Sequence, residues 1–166
     1  MNDKKNRHFQ ELIESNKGIL FKVARTYCQN DEDRQDLIQE IRIQNWQSLN
    51  KYNTDYKIST WFYRVSINTA ISFYRKNKNR QQASIKLDGQ FQKPNESYNK
   101  DKEDKLNLLE QFIYELNDFD KAIMLLYLEG KSHEDISNVL GVSKSNIGTK
   151  IGRIKDKLKN RFLETK

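Results

Sequence analysis

Proline occurs once in this chain of 166 residues, cysteine once, histidine twice and glycine six times. So few helix breakers leave long helices undisturbed, and no Val/Ile/Thr-rich alternation bounded by turn pairs marks a strand. The expectation is an all-α protein. The lone Cys28 excludes an intramolecular disulfide and suits a reducing compartment, with a small buried hydrophobe as its expected role. His8 and His133 stand far apart, and neither has a Cys or second His at ligand spacing, so no metal site and no cofactor are expected. No apolar run approaches the ~18 residues of a membrane span, and the polar N-terminus does not read as a signal peptide. Membrane insertion is therefore not expected, and the expected location is the cytoplasm. Apolar residues make up 36% of the chain, which allows small cores but not a deep enzyme-sized interior.

What the chain has instead is charge. Charged residues account for 32%, with 30 Lys and Arg against 23 Asp and Glu, a formal net charge of +7. That balance points to nucleic acid or another anionic surface as partner.

Apolar periodicity divides the chain into two helical blocks, residues 1–80 and 105–166, joined by a flexible linker over 81–104. In the first block Phe9, Leu12, Ile13, Ile19, Leu20, Val23, Ala24 and Tyr27 recur at helical steps from about His8, and Gly18 should interrupt or bend that helix. Asn30 and Asp31 offer a new N-cap, after which Leu37, Ile38, Ile41, Ile43 and Trp46 give a second helix. Ser59 or Thr60 can cap a third, with Trp61, Phe62, Val65, Ile67, Ala70, Ile71 and Tyr74 as its stripe. From about Asn77 to Glu103 the composition is Asn, Gln, Lys and Ser without period, and it holds the only proline, Pro94. In the second block one helix is marked by Leu106, Leu109, Phe112, Ile113 and Leu116, and another by Ala122, Ile123, Leu125, Leu126 and Leu128 up to Gly130.

The C-terminal stretch reads as a helix-turn-helix. Ser132 caps a short helix with Ile136, Val139 and Leu140 on its inner face, Gly141 makes the sharp turn, Val142 plugs the corner and Ser143 caps the next helix. That helix carries Ile147, Ile151, Ile154 and Leu158 on one side and Lys144, Ser145, Asn146, Thr149, Lys150 and Arg153 on the other. An apolar back with a polar, basic front near its N-terminal end is what a major groove accepts. Gly148 and Gly152 are unfavourable inside a helix, and either permit close approach to DNA or a partner or are simply tolerated.

The first block adds two faces of opposite character. Arg64, Arg75, Lys76, Lys78 and Arg80 carry no acid among them and are interleaved with Trp61, Phe62, Tyr63, Phe73 and Tyr74. Rings for stacking and cations for phosphates describe a single-strand platform. Core packing is the competing role for Trp61, Phe62 and Tyr74, whereas Tyr63, Arg64 and Asn68 lie beside the stripe and are expected to be exposed. On the second helix Asp33, Asp36 and Glu40 share one face, a docking surface for a basic protein. No carboxylate, histidine or nucleophile constellation supports catalysis, so no catalytic residues are assigned.

At this point the residues resemble a family. Asp33-Arg34-Gln35-Asp36-Leu37-Ile38-Gln39-Glu40 followed by Trp46 resembles the second conserved region of bacterial sigma-70 factors. The run from Lys57 through Trp61-Phe62-Tyr63-Arg64 to Asn68-Thr69-Ala70 resembles the promoter-melting helix of the extracytoplasmic function (ECF) group, and Glu129 to Ile136 with Leu140-Gly141-Val142-Ser143 resembles their fourth region. The resemblance implies a promoter-specificity subunit of RNA polymerase, with core polymerase (its two largest subunits) and promoter DNA as partners. It implies that Asp33, Asp36, Gln39 and Glu40 bind core, that Tyr52, Lys57, Tyr63, Arg64, Asn68, Arg75 and Lys76 meet the melted −10 strand, and that Lys144, Ser145, Asn146, Thr149, Lys150 and Arg153 read the −35 duplex. An anti-sigma factor is a further expected partner, although no residue specifies one. Three positions depart from the family pattern: Asn117 stands where Pro is usual, Ser137 where Ala is, and Lys150 where Arg is common. The alternative is a helix-turn-helix regulator working without polymerase, which would need neither the acidic face nor the aromatic–basic helix.

Overall fold

The computed structural model describes residues 2–83 and 100–165, with side chains described over 3–76 and 101–165. Among these residues the chain is all-α, with helices α1 (Asn2–Tyr27), α2 (Asp31–Ser48), α3 (Ile58–Ala83), α4 (Lys100–Tyr114), α5 (Asp118–Leu128), α6 (His133–Leu140) and α7 (Lys144–Glu164). A short 3₁₀ turn, Leu49–Lys51, follows α2.

Helices α1, α2 and α3 pack on one another as the first bundle. The stripe expected on α1 buries Ile13, Leu20, Val23, Ala24 and Tyr27. Contrary to expectation, α1 begins at Asn2 and runs unbroken through Gly18, which has open space around it. One glycine costs a helix about 1 kcal/mol, and a long helix packed along one side absorbs that. Asn30 caps α2 reciprocally: its Oδ1 accepts from the Asp33 amide at 2.8 Å and its Nδ2 donates to the Asp33 carboxylate at 2.8 Å. Leu37 and Ile41 face the core, but Ile43 does not, being 48% exposed. Position 43 falls two residues after Ile41, about 200° round the helix, and so faces solvent. Helix α3 starts one residue before the expected caps, so Ser59 and Thr60 lie inside its first turn.

The second bundle comprises α4 to α7. Helix α5 is its axis, buried from Lys121 through Leu126. Phe112 of α4 meets Phe162 of α7 edge-to-face at 4.9 Å. The first turns of α4 reach beyond the neighbouring helices, so Leu106 is 55% exposed rather than buried. Leu128, the last residue of α5, is likewise exposed. Helix α3 extends to Ala83 and α4 begins at Lys100, so helices enter the expected linker from both ends. Its remainder, and the expectation of flexibility there, lie outside the described residues.

Two of the three departures from the family pattern have local work. Asn117 takes the N-cap of α5, its Oδ1 accepting from the Asp120 amide at 2.9 Å. The Ser137 hydroxyl donates to the Val142 carbonyl across the α6–α7 turn. The bundles also touch each other, α1 lying on α4 and α5, and α3 on α6.

Candidate nucleic-acid interface

The turns that aim α6 and α7 are built from glycine and caps. After α5 the chain turns at Gly130, φ 74°. The Lys131 amide donates to Leu126 O at 3.1 Å and the Gly130 amide to Tyr127 O at 3.0 Å, satisfying carbonyls that the helix end leaves bare. Ser132 accepts from the Asp135 amide at 3.1 Å and Ser143 from the Asn146 amide at 3.2 Å. Between the two helices Gly141 sits at φ 72°, ψ 29°, a left-handed conformation that other residues adopt only with strain.

On α7, Ile147, Ile151, Ile154 and Leu158 are all buried against the bundle. Lys144, Ser145, Asn146, Thr149 and Arg153 are exposed, and no acid lies in the first turn. Exposed amides and cations at a helix N-terminus attract phosphate. Lys150 is held differently. Its Nζ stands 3.7 Å from Asp120 Oδ1 and 5.2 Å from the centroid of the Phe119 ring, so reading a base would require leaving α5.

Neither interior glycine of α7 is forced by packing. A Cβ on Gly152 would meet nothing within 4 Å, and one on Gly148 would rest at ordinary contact, 3.6 Å, from the His133 imidazole. Gly152→Ala is therefore expected to stabilise the protein by about 1 kcal/mol, read as a higher urea midpoint at unchanged slope. A loss of stability would show that the glycine is needed for the fold.

On α2, Asp36 and Gln39 are exposed and Glu40 half-buried, its carboxylate accepting from Gln44 Nε2 at 3.0 Å. Asp33 is partly spent on its cap with Asn30. Sequence reasoning missed that exposed Ile43 follows Asp36, Gln39 and Glu40 at helical spacing, which gives the acidic stripe an apolar end.

The −10 candidates divide. Lys57, Asn68, Arg75 and Lys76 are exposed. Tyr52 leans on Trp61, ring centroids 6.0 Å apart, and its hydroxyl donates to Tyr56 O. Tyr63, expected at the surface, is only 4% exposed, because α6 packs on its side of α3 and Lys131 Nζ lies 5.4 Å from its ring centroid. Burial, with the Glu129 charge, pushes its hydroxyl up to about 12. Arg64 is half-buried: it donates to the carbonyls of Asn138 and Val139 in the last turn of α6, and its guanidinium lies 5.4 Å from the Tyr56 ring centroid. Of the rings weighed as core, Phe62 is buried while Trp61 and Tyr74 are half-buried. Lys57, Ser59, Thr60, Tyr63, Lys131, Asp135 and Val139 line a shallow cleft between α3 and α6.

Among the described residues no group of His, Cys, Asp and Glu could hold a metal ion, and no helix is long and apolar enough to cross a membrane. Cys28 is buried, and burial pushes its thiol up to about 11, with the Asp33 charge adding to the rise.

The family model for Sigma-70 region 2 matches residues 12–80, and that for Sigma-70 region 4 matches residues 106–158. The chain is 26% identical over 141 residues to RNA polymerase sigma factor SigV of Bacillus subtilis, covering 85% of this chain and 82% of that protein. Its fold is similar to that of CnrH in complex with the cytosolic domain of CnrY, with TM-score 0.69, 18% identity, and coverage of 97% of this chain and 91% of that one. It is also similar to the sigma factor RpoE in complex with the anti-sigma factor NepR from Bartonella quintana, with TM-score 0.70, 16% identity, and coverage of 93% and 96%. Two matched regions in chain order, one in each helical bundle, settle the family. The chain belongs to the sigma-70 family, in its two-domain ECF group, and is a non-enzymatic subunit that joins core RNA polymerase to promoter DNA at transcription initiation.

Proposed function

We propose a division of labour in which residues 1–80 bind core and engage the −10 element, 81–104 link, and 105–166 bind the −35 element. The acidic stripe Asp36, Gln39 and Glu40, with Asp33 at its start and Ile43 at its end, takes the clamp helices of the largest polymerase subunit. The exposed carboxylate of Asp36, beside the half-buried Asp33 and Glu40, favours a basic partner. The loop from Tyr52 to Lys57 captures a flipped base, and Tyr63, Arg64, Asn68, Arg75 and Lys76 hold the unpaired strand by stacking and phosphate pairing. The apolar face of the second bundle seats on the flap of the other large subunit. Lys144, Ser145, Asn146, Thr149, Lys150 and Arg153 meet the −35 duplex. We place the protein in the cytoplasm, where its polymerase works. An anti-sigma protein is its proposed regulator, by analogy with the RpoE–NepR complex.

The observation that carries this reading is the coexistence of three surfaces in one chain: an exposed acidic stripe on α2, cations and rings on α3, and a capped basic helix α7. Lys150→Ala tests the −35 assignment. If the side chain reads a base, selection from a duplex library will relax at one position by about 1–3 kcal/mol. A uniform loss across sequences would instead make Lys150 a phosphate contact.

A further inference from the structure

We propose that Asp120 limits the sequence-independent affinity of α7 for duplex DNA, as an internal counterion that keeps Lys150 off the phosphates. The proposal rests on the reading of α7 as the −35 helix. It adds to that reading a positioning residue on α5, outside the DNA face.

Three cations of α7 belong to the proposed duplex surface. Lys144 and Arg153 are exposed and make no ion pair among the described residues. Lys150 alone carries a carboxylate. Its Nζ stands 3.7 Å from Asp120 Oδ1, with the lysine side chain 35% and the aspartate side chain 13% exposed. The Phe119 ring, its centroid 5.2 Å from Nζ, faces the same ammonium. Both partners lie in the first turn of α5.

Asp120 is itself fixed and cannot follow the lysine to DNA. Its amide donates to Asn117 Oδ1 at 2.9 Å, and its Oδ2 accepts from Asn117 Nδ2 at 3.1 Å. This reciprocal cap holds the carboxylate on α5. The other acid of that turn, Asp118, is taken by Arg75, whose Nε lies 3.4 Å from Asp118 Oδ2.

Such a carboxylate can act in two ways. A buttress bonds the lysine while aiming it at a base; a counterion only holds it back. Buttressing calls for a directed hydrogen bond of about 2.7–2.9 Å, best made to a planar guanidinium. A 3.7 Å contact to a freely rotating ammonium neutralises charge without aiming it. The pair is also partly buried, so salt screens it less than it screens an exposed pair. A phosphate met at an arbitrary register must displace a carboxylate already in place. A matching base adds a contact of its own, and is the ligand for which Lys150 leaves α5.

Asp120→Asn keeps the shape and the cap with Asn117 and removes only the charge. The test is binding of the full chain to mixed-sequence duplex DNA, followed by fluorescence anisotropy. The variant is expected to bind about fivefold more tightly at ~50 mM salt, with unchanged circular dichroism. Its log–log salt slope should steepen by about 0.9, one phosphate, so the gain shrinks about threefold by ~200 mM salt. In a Lys150→Ala background the same change is expected to alter neither affinity nor slope.

Unchanged affinity and slope in Asp120→Asn would overturn the proposal, and weaker binding would make Asp120 a buttress instead. Tightening that persists with Lys150→Ala would reduce Asp120 to a repulsive charge near DNA, and equally overturn it. Duplex binding that is absent, or indifferent to Lys144→Ala with Arg153→Ala, would instead sink the −35 assignment and the proposal with it.

Discussion

Asp36→Lys combined with Glu40→Lys is expected to abolish run-off transcription from every template, pre-melted or duplex, while leaving the fold intact. Asp36 is exposed and Glu40 half-buried, its carboxylate accepting a hydrogen bond from Gln44, while the core contacts of α2 come from Leu37 and Ile41. Surface substitutions of this kind change stability by about 0.5 kcal/mol or less. Against a basic partner the effect is far larger. Like charges brought together at an interface cost several kcal/mol, so affinity for core should fall by about 100-fold or more. Co-elution with core measures this directly. The template independence matters, because a factor that never joins core fails even where no melting is required. Retained core binding by the double variant would remove α2 from the polymerase contact. Ile43→Ser should give a smaller loss of the same kind, as the apolar end of the stripe.

Lys57→Ala with Asn68→Ala is expected to separate opening from every other step. Both side chains are exposed, although Lys57 borders the cleft between α3 and α6, so truncating them opens no buried cavity. Contacts to an unpaired base are worth about 1–3 kcal/mol each, so initiation from duplex promoters should fall about 10- to 100-fold. Initiation from a template with a pre-opened bubble should fall much less, because opening then needs no energy from the protein. Equal loss on both templates would mean that these residues hold DNA without helping to melt it. Tyr63 is a poorer probe than its sequence position suggests. It is buried, and truncating it would open a cavity as well as remove a stacking ring.

The helices, the caps at Asn30, Ser132 and Ser143, and the left-handed turn at Gly141 were legible because each is a local decision. A short polar side chain meets an amide three residues on, or a glycine stands where φ must be positive. The α7 stripe was legible for the same reason, four isoleucine and leucine positions at one helical period. The misses are tertiary. Nothing around Tyr63 or Arg64 in the sequence announces that α6 lies on them, since the covering residues come from some 70 positions later. Lys121 is hidden in the same way: its three rings arrive from α1, α3 and α4. Ile43 shows the converse. Its chemistry promised a core position, and its angular place on α2 overruled that. The family resemblance named the three interfaces, while the geometry showed that Lys150 is tied to Asp120 before any DNA arrives.

The central claim is a promoter grip at two points, delivered to polymerase by α2. The most direct test mixes the full chain with core polymerase and genomic fragments and maps the 5′ ends of the transcripts. The account predicts discrete starts that depend on the chain, preceded by two sequence elements at fixed spacing, with Lys57 and Asn68 variants losing the proximal element and α7 variants the distal one. Failure to bind core at permissive salt, or starts unchanged by adding the chain, would contradict it.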